Sequence, residues 1–185
     1  MITKVHKPAI YLYPTTHQDI TVKLQFDGTL THTIPEYDKA WNVKAFPDGQ
    51  IQTADGQEYP YLFWEGNTDA LRPDFKKGFL VRNGDTETFL NDKLTELGLS
   101  QTEISDFIEY WGPRMKKNPY NLVYFAGREY TDIAGLFINP KPDSILRVFM
   151  VYKAVPGPVE IEEQTLKPFE RKGFTVIEWG GAEIQ

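Results

Sequence analysis

Residues 86–112 read TETFLNDKLTELGLSQTEISDFIEYWG, and they settle the fold class because their period differs from that of the rest of the chain. Phe89, Leu90, Leu94 and Leu97 share one helical face, with Asp85 or Thr86 as N-cap and Gly98 just past the C-cap. Ser100-Gln101-Thr102-Glu103 then matches a capping box, and Ile104, Phe107, Ile108 and Trp111 continue at helical spacing to Gly112-Pro113. So few residues separate the two helices that they predict an antiparallel hairpin.

Outward in both directions the pattern becomes that of strands. Asp19 to Phe26 alternates Ile20, Val22, Leu24 and Phe26 against polar neighbours, the period of a half-buried strand. Further runs are Ala9 to Tyr13, Trp41 to Phe46, a short one near Ile51, Glu58 to Glu65 and Gly78 to Arg82. Asp27-Gly28, Asp48-Gly49 and Asp55-Gly56 can each supply the positive φ of a tight hairpin, and Pro60 belongs at an edge or bulge. Downstream lie Tyr120 to Ala126, an ambiguous stretch from Arg128 to Ala134, Leu136 to Asn139, and Gly173 to Trp179. Ile145 to Tyr152 is apolar on both faces except for Arg147, which predicts a central strand. Strands, two helices and more strands describe an α+β fold. We expect an N-terminal antiparallel β-sandwich-like unit (1–66) packed on a C-terminal mixed sheet (67–185) covered by the helical hairpin 86–112, all in one integrated globule.

Composition narrows the function classes. A chain of 185 residues can bury a sizeable core, and its 12 Phe, 10 Tyr and 4 Trp favour sheets. A net charge of −6, with Lys76-Lys77 and Lys116-Lys117 as isolated basic pairs, argues against nucleic acid. No run of about 18 apolar residues is present, so no membrane span is expected, and the first seven residues lack the apolar stretch of a signal peptide. The chain therefore reads as soluble, and as cytoplasmic or as beginning after a removed leader. Zero cysteines exclude disulfides, thiolate zinc sites and thiol nucleophiles.

No phosphate loop, dinucleotide fingerprint, His-Glu-x-x-His or Gly-x-Ser-x-Gly occurs, so no cofactor or metal is indicated. His6, His17 and His32 are not at ligand spacing and read as solvent-exposed strand or loop residues. Glu160, Glu162 and Glu163 read as a solvated acidic edge rather than a calcium loop, and Arg114 can either cap helix carbonyls or hold an anion. More informative are charges inside apolar strands: Glu65 ends Tyr61-Leu62-Phe63-Trp64-Glu65, Arg147 interrupts its run, and Glu178 lies in Val176-Ile177-Glu178-Trp179. A buried arginine needs a carboxylate partner, and Glu178 and Glu65 are the candidates. Trp111 reads as packing on its helix, whereas Trp64 and Trp179 are either core or aromatic platforms for a sugar ring.

Lys7-Pro8-Ala9-Ile10-Tyr11-Leu12-Tyr13-Pro14, Tyr61 to Glu65, Arg147-Val148-Phe149-Met150 and Gly173 to Gly181 recur in this order in a family of hypothetical bacterial and fungal proteins. The chain resembles that family over nearly its whole length, which implies one unit. The resemblance transfers no activity or site residue, but it implies an exported protein as readily as a cytoplasmic one.

Three functions follow as expectations. The first is a non-catalytic ligand-binding or structural domain, exported or envelope-associated, whose ligand-binding candidates are Trp64, Glu65, Arg147, Glu178 and Trp179. The second is a hydrolase acting on a polar or glycan-like substrate through Glu65 and Glu178, with Arg147 positioning it. The third is an adaptor that binds protein. The partner is thus a small molecule, a glycan or a protein.

Overall fold

The computed structural model describes residues 2–185. The chain runs β1 (Thr3–Tyr13), β2 (Gln18–Phe26), β3 (Thr29–Ile34), β4 (Trp41–Ala45), β5 (Ile51–Gln52), β6 (Glu58–Tyr59), β7 (Leu62–Thr68) and β8 (Lys77–Arg82) before α1 (Thr86–Leu97) and α2 (Gln101–Met115). It continues through β9 (Tyr120–Ala126), the short α3 (Arg128–Thr131), β10 (Ala134–Asn139), β11 (Ser144–Val155), β12 (Glu162–Glu163) and β13 (Thr175–Ile184).

Strands apolar on one face form one sheet, and strands apolar on both faces lie in the middle of the other. In β2, Ile20, Val22 and Leu24 are buried while their neighbours face solvent or are only half-buried, and β2 belongs to an antiparallel sheet of order β10-β2-β4-β5-β6. In β1, β11 and β13 consecutive residues are buried, so these strands need cover on both sides. They occupy the middle of a mixed sheet of order β12-β8-β9-β11-β13-β1-β7-β3. One face of this sheet packs on the smaller sheet through Ile10, Leu12, Trp64, Phe149 and Val176. The other packs on α1 and α2 through Tyr11, Val148, Met150, Ile177 and Trp179. The fold is α+β in three layers: small sheet, large mixed sheet, helical hairpin. Residue 66 falls inside β7, and β1, β3 and β7 join the large sheet while β10 joins the small one, so the strands interleave across that point.

The hairpin is built as its sequence dictates. Gly98 takes the left-handed φ of 104° and its N–H donates to the Leu94 and Thr95 carbonyls. Ser100 and Glu103 form the reciprocal capping box. The second helix does not stop at Gly112-Pro113 but runs to Met115. Pro113 forfeits one backbone hydrogen bond. In exchange Met115 is fully buried, its carbonyl accepts from Asn121 Nδ2 at 2.9 Å, and the Arg114 guanidinium caps the Tyr110 carbonyl at 2.5 Å. Two of the three Asp-Gly turns use positive φ, at Gly49 and Gly56. Gly28 does not; a Cβ there would lie 2.3 Å from the Asn67 carbonyl oxygen. No helix among the described residues is long and apolar enough to cross a membrane.

Candidate functional site

The parallel register of β11 and β13 sets Arg147 beside Glu178. Arg147 Nε donates to Glu178 Oε2 at 2.5 Å, and Glu178 is fully buried. Its other oxygen accepts from the Tyr130 hydroxyl at 3.1 Å and from Trp64 Nε1 at 3.4 Å. Tyr130 stacks on Phe149 at 3.9 Å, and the Arg147 guanidinium lies 5.0 Å from the Tyr130 ring centre. Burial is the largest single influence on Arg147 and works against its charge, but Glu178 and Tyr130 together outweigh it and hold the guanidinium above its ordinary pKa. Burial, then the Glu178 charge, raise the Tyr130 phenol well above its own. This is a core ion pair between the two sheets.

Of the five residues singled out from sequence, Trp64, Arg147 and Glu178 therefore converge, but in the core and not in a cleft. Trp64 and Trp179 are fully buried, against Phe26 and Phe107 respectively, so neither offers a ring face to a sugar. Trp179 also lies on the other face of the sheet, under the helices, as does Glu65, which follows Trp64 and points the opposite way. Glu65 and Glu178 thus share no cleft, and a hydrolase built on that pair is ruled out.

Glu65 has different company. Its Oε1 lies 3.3 Å from His6 Nδ1 and accepts from the Tyr110 hydroxyl at 3.4 Å, while that hydroxyl is 3.2 Å from His6 Nδ1. His6 is not a solvent-exposed histidine but is half-buried. It precedes an extra residue in β1 that shifts the register against both β7 and β13, where Lys7 adopts a left-handed φ of 56°. The Lys7 ammonium donates to the Tyr61 hydroxyl at 3.1 Å and lies 4.7 Å from the Phe63 ring centre. The His6 hydrogen bond is the main reason the Glu65 carboxyl is held below its ordinary value of 4.5. A lowered carboxyl pKa contributes stability above the unfolded value, and that contribution is lost as pH falls through the folded one. Glu65→Gln is therefore expected to flatten the fall in urea midpoint below about pH 4.5. An unchanged acid limb would show the pair to be inert.

Further along the helix-side face of β1, Tyr11 and Tyr13 form the floor of a cavity of about 370 Å³. The Tyr11 hydroxyl donates to Asp106 Oδ2 at 2.7 Å and accepts from Trp179 Nε1 at 3.0 Å. Tyr13 donates to Glu103 Oε1 at 2.7 Å. Burial, then the acceptor carboxylate, push both phenols far above their ordinary range, so both stay neutral. Tyr59, Asp48 and Glu58 close the opposite side. Gln50 braces this wall: its backbone N–H donates to Asp48 at 3.0 Å and its amide to Glu58 at 2.8 Å. The cavity thus lies where α2, the large sheet and the β4–β6 turns meet. A larger depression of about 850 Å³ follows Phe79, Phe89 and Lys93, but it is open, and Lys93 there is already paired with Glu96 and Glu163.

Comparison with known proteins adds one relative. Over 64 residues the chain is 53% identical to the "Uncharacterized protein in bglA 3'region" of Butyrivibrio fibrisolvens, a match that covers 33% of this chain and 66% of that protein. The chain thus spans just under two thirds of that relative's length. No protein-family model matches, and no solved structure matches significantly. That relative brings no function with it, so function rests on the site's geometry.

Proposed function

We propose that the chain is a binding domain that takes a small polar ligand into the tyrosine-floored cavity and does not turn it over. The observation that carries this reading is the floor itself: two tyrosines whose hydroxyls are fixed by Asp106, Glu103 and Trp179 before any ligand arrives. Preorganised polar groups in a concave site lower the ordering cost of binding. Binding is favoured over hydrolysis because the two strand carboxylates sit on opposite faces of the large sheet. The Arg147–Glu178 pair and the buried tryptophans serve as scaffold in this reading.

A thermal-shift screen of glycans, amines, peptides and peptidoglycan fragments tests it. A ligand at about 100 times its Kd adds about 2.7 kcal/mol of stability. We expect stabilising compounds to lose their effect in Tyr59→Ala, which removes one wall of the cavity without touching the hydrogen-bonded floor. Hits that stabilise Tyr59→Ala equally, or that are converted to product, overturn the proposal.

A further inference from the structure

We infer that the ligand of this cavity carries an organic ammonium group, an inference that rests on the cavity being the binding site. Three carboxylates line it, those of Asp48, Glu58 and Asp106, and no lysine, arginine or histidine does. Among the described residues none of the three enters an ion pair. On an open surface such acids would be ordinary solvated groups. Here they surround neutral phenol rings in a concavity, and low-dielectric walls concentrate their field.

The tyrosine row also shows which ligand chemistry suits it. At one end the protein's own Arg171 guanidinium lies 5.5 Å from the Tyr13 ring centre. At the other the Lys7 ammonium lies 5.2 Å from the centre of Tyr61, itself 5.1 Å from Tyr11. Tyr11 is buried between Tyr13 and Tyr61, so the rings accessible from the cavity are the half-buried Tyr13 and Tyr59, and Tyr59 has no such cation among the described residues. Cations placed over aromatic faces are attracted by the ring quadrupole, and acids beside the rings add Coulombic attraction. The positive N-terminal end of α2, which reaches the cavity at Thr102, is offset by the buried Glu103 carboxylate of the capping box. An alkylammonium headgroup with a short polar arm fits both the volume and the lining.

The structure supplies its own reporter, because the Trp179 indole N–H donates to the Tyr11 hydroxyl on the cavity floor. The ¹⁵N-indole resonance of Trp179, assigned with Trp179→Phe, is followed during titration with choline, with its neutral isostere 3,3-dimethylbutan-1-ol, and with cellobiose. Choline is expected to shift it saturably, and the isostere to bind about tenfold more weakly or less, a difference of about 1.4 kcal/mol. The double variant Asp48→Asn/Glu58→Gln, at two exposed positions, is expected to weaken choline about tenfold and leave the alcohol unchanged. If the alcohol or cellobiose binds as well as choline, the cavity is a binding site but not one for cations, and only this inference falls. If none of the three moves the resonance, this inference falls, while the binding reading stands or falls by the thermal-shift screen and Tyr59→Ala.

Discussion

Arg147→Ala is expected to cost about 3–5 kcal/mol of folding stability, because it strands the fully buried Glu178 carboxylate between the two sheets. The remaining donors, Tyr130 and Trp64, are neutral and cannot replace the guanidinium charge. Arg147→Met keeps most of the volume and should be less damaging than alanine, since it adds no cavity to the lost charge. Arg147→Met combined with Glu178→Gln should recover most of the loss, since glutamine is neutral and still accepts from Tyr130 and Trp64. Urea unfolding at pH 7 measures all three. A change within about 0.5 kcal/mol for Arg147→Ala would mean that the arginine is solvated and the pair contributes nothing.

Glu103→Ala is the second large effect, at about 2–4 kcal/mol, because one carboxylate serves three donors. Its Oε2 accepts from the Ser100 backbone N–H at 2.7 Å and from Arg171 Nη2, and its Oε1 accepts from Tyr13. Alanine removes the Glu103 half of the capping box, while Ser100 Oγ still accepts from the backbone N–H of residue 103, and it leaves the Ser100 N–H and the Tyr13 phenol without their acceptor, so the cavity floor should loosen with the helix end. Glu103→Gln keeps an acceptor and should cost about 1–2 kcal/mol, mostly through the lost pair with Arg171. The check pairs chemical denaturation with a choline titration of each folded variant. Unaltered choline affinity in Glu103→Ala would show that Tyr13 needs no anchor and that the floor is not preorganised by α2.

What could be read from sequence was local or energetically compelled. Ser100-Gln101-Thr102-Glu103 caps its helix through groups three residues apart, so the spacing alone specifies the hydrogen bonds. Arg147 inside an apolar run requires a carboxylate, and Glu178 supplies it. Ile145 to Tyr152, apolar on both faces, sits centrally in the large sheet as that pattern requires, and the strand that contains Ala9 to Tyr13 lies in the middle of the same sheet. The tyrosine-floored cavity was not legible. Tyr11, Asp48, Tyr59 and Asp106 come from four separate segments and meet only through sheet register and helix docking. Taken singly, Tyr11 is indistinguishable from a core tyrosine. The His6–Glu65–Tyr110 cluster left one trace, Pro8, which lacks a ladder donor at the edge of an otherwise regular run and marks the bulge.

The pairing of β1 with β13 joins distant parts of the sequence in the middle of the large sheet. Ala9 lies opposite Trp179 and Tyr13 opposite Thr175, so one edge of β1 is covered only by a strand far away in sequence. Contacts this distant in sequence slow folding, because the loop must close before the contact rewards it. The refolding rate, followed by stopped-flow fluorescence, should therefore respond to β13 substitutions more than to changes in the hairpin.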